Sequence, residues 1–266
     1  MPWRRGIEVA GDTVHNPPWI LLRGLTREAA HWGGFINAFA DAQRGARVVA
    51  PDLPGNGVLH RAESPATVRG MVEACRAELA AQGLRPPFRV LAMSLGAMVA
   101  TEWARLAPSE LAGCVLINTS LRPFSRFYQR LRPASYLPVL RCMLPGVSPE
   151  AIEHTVLRMT SNHAAAHAPV VQEWVAVRRQ RPVSAPNALR QLLAAARYMA
   201  PVAAPLPRIL LLASQHDRLV SSQCSQAIAQ AWGVPLCMHP FAGHDLPLDD
   251  APWVIRQVGA WAEGLA

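Results

Sequence analysis

The sequence predicts an α/β fold: a mostly parallel central sheet with helices on both faces and a helical insertion past its middle. Two patterns predict it. Before residue 121 and again after residue 206, short uninterrupted apolar runs alternate with longer stretches of helical periodicity. Strands covered on both faces lose the in–out alternation of a half-exposed sheet, and parallel pairing needs crossover helices. Between those two regions the alternation stops.

Residues 19–23 read W-I-L-L-R and end at Gly24; residues 47–50 (R-V-V-A) run into P-D-L-P-G-N-G, a loop dense in breakers. Residues 88–92 (F-R-V-L-A) and 114–118 (C-V-L-I-N) make two further strands. Helices are expected over 29–44, 67–82 and 95–107; Gly83 and Pro108 stop the second and third. After Pro207 come a strand (208–213), a helix opened by a serine (221–231), a strand (235–240) and a closing helix (251–263). Residues 121–206 hold no strand pattern. Phe124, Phe127, Tyr128 and Leu131 fall at i, i+3, i+4, i+7, an amphipathic helix. Ser148-Pro149 opens a second helix, and 164–180 and 188–199 are others. We expect a core of residues 1–120 and 207–266 with a helical lid, 121–206, inserted into it.

Composition narrows the classes. At 51% hydrophobic and 17% charged residues the chain can bury a core, which excludes a disordered protein. No apolar stretch approaches the length of a membrane span, and the N-terminus lacks a secretory apolar segment. Five cysteines without a C-x-x-C pair argue against a disulfide framework and for a cytoplasmic protein. No cofactor or metal is expected; His163 and His167 are spaced i, i+4 but have no third ligand. The chain has no lysine, and its net charge of +8 is localised. Residues 121–200 carry 11 arginines against Glu150, Glu153 and Glu173, while the rest balances. No recognised nucleic-acid motif accompanies this charge, so nucleic acid is not expected as a partner.

The strongest chemical signal is Val90-Leu91-Ala92-Met93-Ser94-Leu95-Gly96-Ala97: an apolar strand, a serine, then a helix of small residues. It resembles the nucleophile elbow of α/β-hydrolases, with Ala92 at the first glycine of G-x-S-x-G. The turn is tight, so residues two before and two after the serine must be small. A serine hydroxyl needs an adjacent base. The resemblance implies an acid after a late strand and a histidine after the last one. Asp217 lies in S-Q-H-D-R after the strand 208–213, and His244 lies in F-A-G-H-D after the last strand. Asp245 is a rival acid and His239 a rival base; Asp245 adjoins the histidine and His239 lies within a strand. His15, His31, His60, His154, His163 and His167 are expected at the surface or on the lid. The segment 49–57 (V-A-P-D-L-P-G-N-G) resembles the family's D-x-P-G-x-G loop, where Asp52 has a structural role.

The resemblance further implies an oxyanion hole built from the backbone N–H groups of Leu25 and Leu95. Arg23 stands where many members have histidine; it is expected to be tied into its own loop, with contact to an anionic substrate as the alternative. Phe124, Phe127 and Tyr128 either line a substrate pocket or pack the lid onto the core. The implied reaction is acyl transfer on a small-molecule carboxylic ester, and a serine nucleophile argues against dehalogenase or epoxide hydrolase chemistry. A C–C bond hydrolase, a thioesterase, a perhydrolase and a non-catalytic binding protein remain open. The arginine-rich lid fits an acidic acyl carrier protein or an anionic surface, or is simply a solvated basic face.

Overall fold

The computed structural model describes residues 7–9, 17–43, 45–144 and 146–264. Seven strands form one sheet: β1 (Ile7–Val9), β2 (Trp19–Leu22), β3 (Val48–Ala50), β4 (Phe88–Met93), β5 (Leu111–Ile117), β6 (Ile209–Ser214) and β7 (Leu236–His239). Their spatial order is β1-β3-β2-β4-β5-β6-β7. All neighbours pair in parallel except β1, which runs antiparallel to β3. β2 shows why the sheet lies inside: Trp19, Ile20, Leu21 and Leu22 are all fully buried.

Helices cover both faces. α1 (Phe35–Ala42) packs with the closing helix on one face, over Trp19, Leu21, Val115 and Leu212. α2 (Val68–Ala81) and α3 (Leu95–Leu106) lie on the other, over Ile20, Val90, Leu116 and Leu211. Thr67 caps α2 by accepting the Gly70 N–H.

Between β5 and β6 the chain leaves the sheet as five helices: α4 (Phe127–Arg130), α5 (Tyr136–Cys142), α6 (Pro149–Thr160), α7 (Val170–Gln180) and α8 (Ala185–Arg197). Ser148 and Ser184 cap α6 and α8, each with a proline in the first turn. The segment has an apolar cluster of its own, Leu157, Val171, Trp174 and Val175. It leaves and re-enters the core at one point, where Arg122 bridges Met199. After β6 come α9 (Gln223–Trp232), α10 (Leu246–Asp249) and α11 (Ala251–Glu263).

Three expectations are corrected. The helix over 29–44 is divided: one 3-10 turn, then Gly33-Gly34, then α1. Gly33 has φ 52°, which a continuous right-handed helix excludes. The amphipathic helix through Phe124, Phe127, Tyr128 and Leu131 shrinks to the single turn of α4, so these side chains do not share a face. β1, three partly exposed residues on the sheet edge, was not expected. His15 lies outside the described residues.

Candidate active site

Parallel register brings the carboxyl ends of β2, β4, β5, β6 and β7 to one edge, and the candidate residues leave from those ends. Ser94 follows β4 directly and has φ 54°, ψ −116°. That positive φ is costly for a residue with a Cβ, and it turns the hydroxyl above the sheet as α3 begins. Gly96 explains the need for small residues. A Cβ there would lie 2.5 Å from the Leu22 carbonyl oxygen and 2.6 Å from that of Arg23. Ala92 is fully buried in the core beneath the turn. A Cβ on Gly24 would lie 3.6 Å from the Ser94 Oγ, so the loop after β2 runs directly beside the hydroxyl. The N–H groups of Leu25 and Leu95 make no backbone hydrogen bond among the described residues, and both residues line the cavity that Ser94 faces.

Asp217 and His244 are brought together. The Asp217 Oδ2 lies 2.7 Å from the His244 Nδ1, and both side chains are buried. The Asp217 Oδ1 accepts the N–H groups of Leu219 at 2.7 Å and Val220 at 3.0 Å, which fixes the carboxylate plane. A histidine held at Nδ1 by a carboxylate presents Nε2 elsewhere, and His244 lines the same cavity as Ser94. The Ser94 hydroxyl itself has no hydrogen-bond partner among the described residues.

A seven-stranded sheet of this order, with a strained serine after one strand and a histidine–carboxylate pair after two later ones, fits the result of comparison. The model of the alpha/beta hydrolase family matches residues 19–257. The chain belongs to that family. It is 32% identical over 111 residues, 42% of this chain, to the pimeloyl-[acyl-carrier protein] methyl ester esterase of Methylococcus capsulatus; the match spans 39% of that protein's length. Among solved structures it is similar in fold to an esterase from Rhodococcus sp. ECU1013, with a TM-score of 0.75, 17% identity and full coverage of both chains. A thermophilic esterase from Thermogutta terrifontis gives a TM-score of 0.74 at 21% identity over 97% of this chain and 92% of that one.

The rival groups are engaged in contacts of their own. His239 Nδ1 accepts the N–H groups of Phe241 and Ala242, and its Nε2 lies 3.1 Å from Asp250 Oδ2, so neither nitrogen is available as a base. Asp245 is buried against Arg23, with contacts of 2.6 and 3.2 Å. Burial works to raise the Asp245 carboxyl, but the Arg23 charge and hydrogen bond outweigh it and hold the group below its usual range. This corrects the expectation for Arg23: its partner lies 222 residues away, not in its own loop. Asp52 accepts the N–H groups of Ala29 and Val58 and ties two loops together; burial pushes its carboxyl up to about 6.

The cavity has a volume of about 730 Å³ and lies between the sheet edge and α4–α8. Its far wall is apolar, with Met143, Ile152, Val156 and Leu192 among its residues. Arg23 and Phe127 also line it; Phe124 and Tyr128 do not. Phe124 precedes α4 and packs on Trp232, with ring centroids 5.7 Å apart, and Tyr128 is exposed with its hydroxyl bonded to Arg126. Among the described residues no group of three or more His, Cys, Asp or Glu side chains is placed to hold a metal ion. No helix is long and apolar enough to cross a membrane among those residues.

Two features of the site had no counterpart in the sequence reading. Asn118, at the end of β5 with φ 45°, donates to the carbonyls of His244 at 2.8 Å and Gly243 at 3.3 Å, and accepts the Ser214 N–H at 2.8 Å. It ties the histidine loop to β6. The second is the docking of residues 160–162 onto that loop. The Asp245 N–H donates to the Thr160 carbonyl at 2.8 Å, and a Cβ on Gly243 would lie 2.6 Å from the same oxygen. A strand ending in asparagine was the available signal for the first; the second left none.

Proposed function

We propose that the protein is a serine hydrolase that cleaves a carboxylic ester through an acyl-enzyme, with Ser94 as nucleophile, His244 as base and Asp217 as the orienting acid. The observation that carries this is the 2.7 Å contact between His244 and Asp217 beside a serine of positive φ, with His244 and Ser94 lining one cavity. His244 Nε2 takes the Ser94 proton as the oxygen attacks the ester carbonyl. Asp217 holds the tautomer and stabilises the imidazolium. The Leu25 and Leu95 N–H groups receive the oxyanion, with the start of α3 behind them. His244 then protonates the leaving alcohol, and water activated by His244 releases the acid. The contact between Ser94 Oγ and His244 Nε2 forms with substrate, as catalytic hydrogen bonds in unliganded enzymes often do. Residues 121–206 act as the lid that closes the cavity and selects the acyl group.

A fluorophosphonate probe tests the assignment. It should label the wild type and leave Ser94→Ala unlabelled, and an ester panel should lose turnover in parallel. Full labelling of Ser94→Ala would remove the assignment.

A second reading, hydrolysis of an ester borne on an acyl carrier protein, is favoured by the similarity to the Methylococcus esterase and by exposed arginines. Arg122, Arg126, Arg141 and Arg197 are exposed and make no ion pair among the described residues. Turnover of a carrier-linked ester that is insensitive to salt would count against it.

A further inference from the structure

One wall of the cavity is unusual for an apolar chamber. Arg27 and Arg178 both line it and both bind the same carboxylate: Arg27 Nη1 donates to Glu153 Oε2 and Arg178 Nε to Oε1, each at 2.6 Å. Glu153 is fully buried, and one carboxylate offsets only one of the two guanidinium charges. Beside them Arg23, also in the wall, is neutralised by Asp245. The five charged groups therefore sum to one uncompensated positive charge.

The donors are uncompensated as well. Arg27 Nη2 and Arg23 Nε are buried without a hydrogen-bond partner among the described residues, on side chains more than nine-tenths buried. A buried charged donor left unpaired is expensive, so such groups mark a place where a partner is expected. The Arg27 guanidinium also lies over the Trp174 ring, 4.1 Å from its centroid, a contact that helps hold it in place before any ligand arrives. His31, packed edge-on to Trp174, adds no charge of its own to this wall. Burial and the neighbouring Arg27 and Arg23 charges push its imidazole well below the usual range, toward the neutral form. Arg27 sits three residues past Gly24, and its N–H donates to the Gly24 carbonyl, so it belongs to the turn that carries Leu25.

We propose that Arg27 and Arg178, backed by Arg23, form an anion subsite for a carboxylate carried on the acyl chain of the substrate, making half-esters of dicarboxylic acids the preferred class. This rests on the ester-hydrolase reading and specifies its substrate.

The test compares 4-nitrophenyl monoesters of succinate, glutarate and adipate with neutral alkanoyl esters of matching chain length. The wild type should favour the anionic ester at one length or more by about 10- to 100-fold in kcat/KM, the range of a charge-assisted hydrogen bond. Arg27→Met leaves Glu153 paired with Arg178, and the anionic-to-neutral ratio should fall to about one; Arg27→Lys should restore part of it. A purely structural role would lower both esters together and leave the ratio intact. A second measurement does not need turnover: glutarate or adipate should raise the Tm of the wild type and not of Arg27→Met. Equal ratios in wild type and Arg27→Met, together with no dicarboxylate-dependent Tm shift, would overturn the subsite. Loss of fluorophosphonate labelling at Ser94 would instead overturn the hydrolase reading, and the Tm arm would still decide the subsite.

Discussion

Replacing Asn118 with alanine removes four hydrogen bonds at once. Its amide donates to the His244 carbonyl at 2.8 Å, the Ser214 Oγ at 3.1 Å and the Gly243 carbonyl at 3.3 Å, and its oxygen accepts the Ser214 N–H at 2.8 Å. The two shortest bonds carry most of the effect. Each leaves a buried backbone group unpaired, at a cost of about 1–3 kcal/mol. The φ of 45° adds to it, because an alanine in the left-handed region costs about 1 kcal/mol more than a glycine. Some of this is offset by water entering the space of the lost side chain, so the loss should be about 3 kcal/mol. That is tolerable for a domain of ordinary stability. Asn118→Gly loses the same bonds without the backbone term and should be about 1 kcal/mol more stable than Asn118→Ala. Urea denaturation reads both. Because the lost bonds hold the main chain of His244, kcat should fall about tenfold or more while KM changes little. If Asn118→Ala lies within about 0.5 kcal/mol of the wild type and kcat is unchanged, the idea that Asn118 positions the histidine loop is wrong.

Three further outcomes follow from the same geometry. Asp217→Asn keeps an acceptor for the Leu219 and Val220 N–H groups but turns an amide N–H toward His244 Nδ1, which selects the wrong tautomer; kcat should fall by about 10³–10⁴, and a loss under tenfold would contradict the role of Asp217. Arg23→Met strands the Asp245 charge and should destabilise by about 3–5 kcal/mol, while Arg23→Met with Asp245→Asn should recover much of it; a double variant no more stable than the single one would show that the pair is not what matters. Asp52 is raised by burial from 3.8 to about 6, so the folded chain binds its proton more tightly than the unfolded one. Its contribution to stability is then greatest below about pH 4 and falls as pH rises to about 6. Between those values the Tm of the wild type should drop relative to that of Asp52→Asn, and parallel Tm curves would refute the shift.

The sheet was legible because β2, β4, β5 and β6 are buried along nearly their whole length, and full burial leaves an unbroken apolar run in the sequence. β1 failed that test for a physical reason. An edge strand of three residues with an exposed face needs no apolar run, and antiparallel pairing needs no crossover helix to announce it. The split in the helix over 29–44 was written in the Gly33-Gly34 pair, but helical periodicity on either side masked it. The apolar spacing of Phe124, Phe127, Tyr128 and Leu131 misled for the opposite reason. Four aromatic and aliphatic residues in helical register do not make a helix here: Phe124 packs on Trp232 before the helix begins, and the backbone is already extended at Leu131.

Within the candidate site the boundary runs between local and distant chemistry. Ser94 announces itself because its backbone strain demands small neighbours in sequence, and Gly96 meets the Leu22 and Arg23 carbonyls at a distance no side chain tolerates. Asp217 and His244 each sit a few residues past a strand end, a position readable without a structure. Arg23 with Asp245 and Arg27 with Glu153 are pairs 222 and 126 residues apart, and nothing local marks either. The same limit distorts the charge count. The +8 of residues 121–200 reads as a basic face, yet Arg181 is bound to Glu28 and Arg190 to Glu63, both acids of the core, and Arg178 is turned inward to Glu153. The arginines of this segment thus include an interior part, Arg130 and Arg178 at the cavity wall, and an exterior part, Arg122, Arg126, Arg141, Arg158 and Arg197. These parts answer to different ligands: a buried guanidinium is screened little by salt, an exposed one strongly. Salt dependence of turnover therefore separates an anion bound at the cavity wall from an acidic partner docked outside.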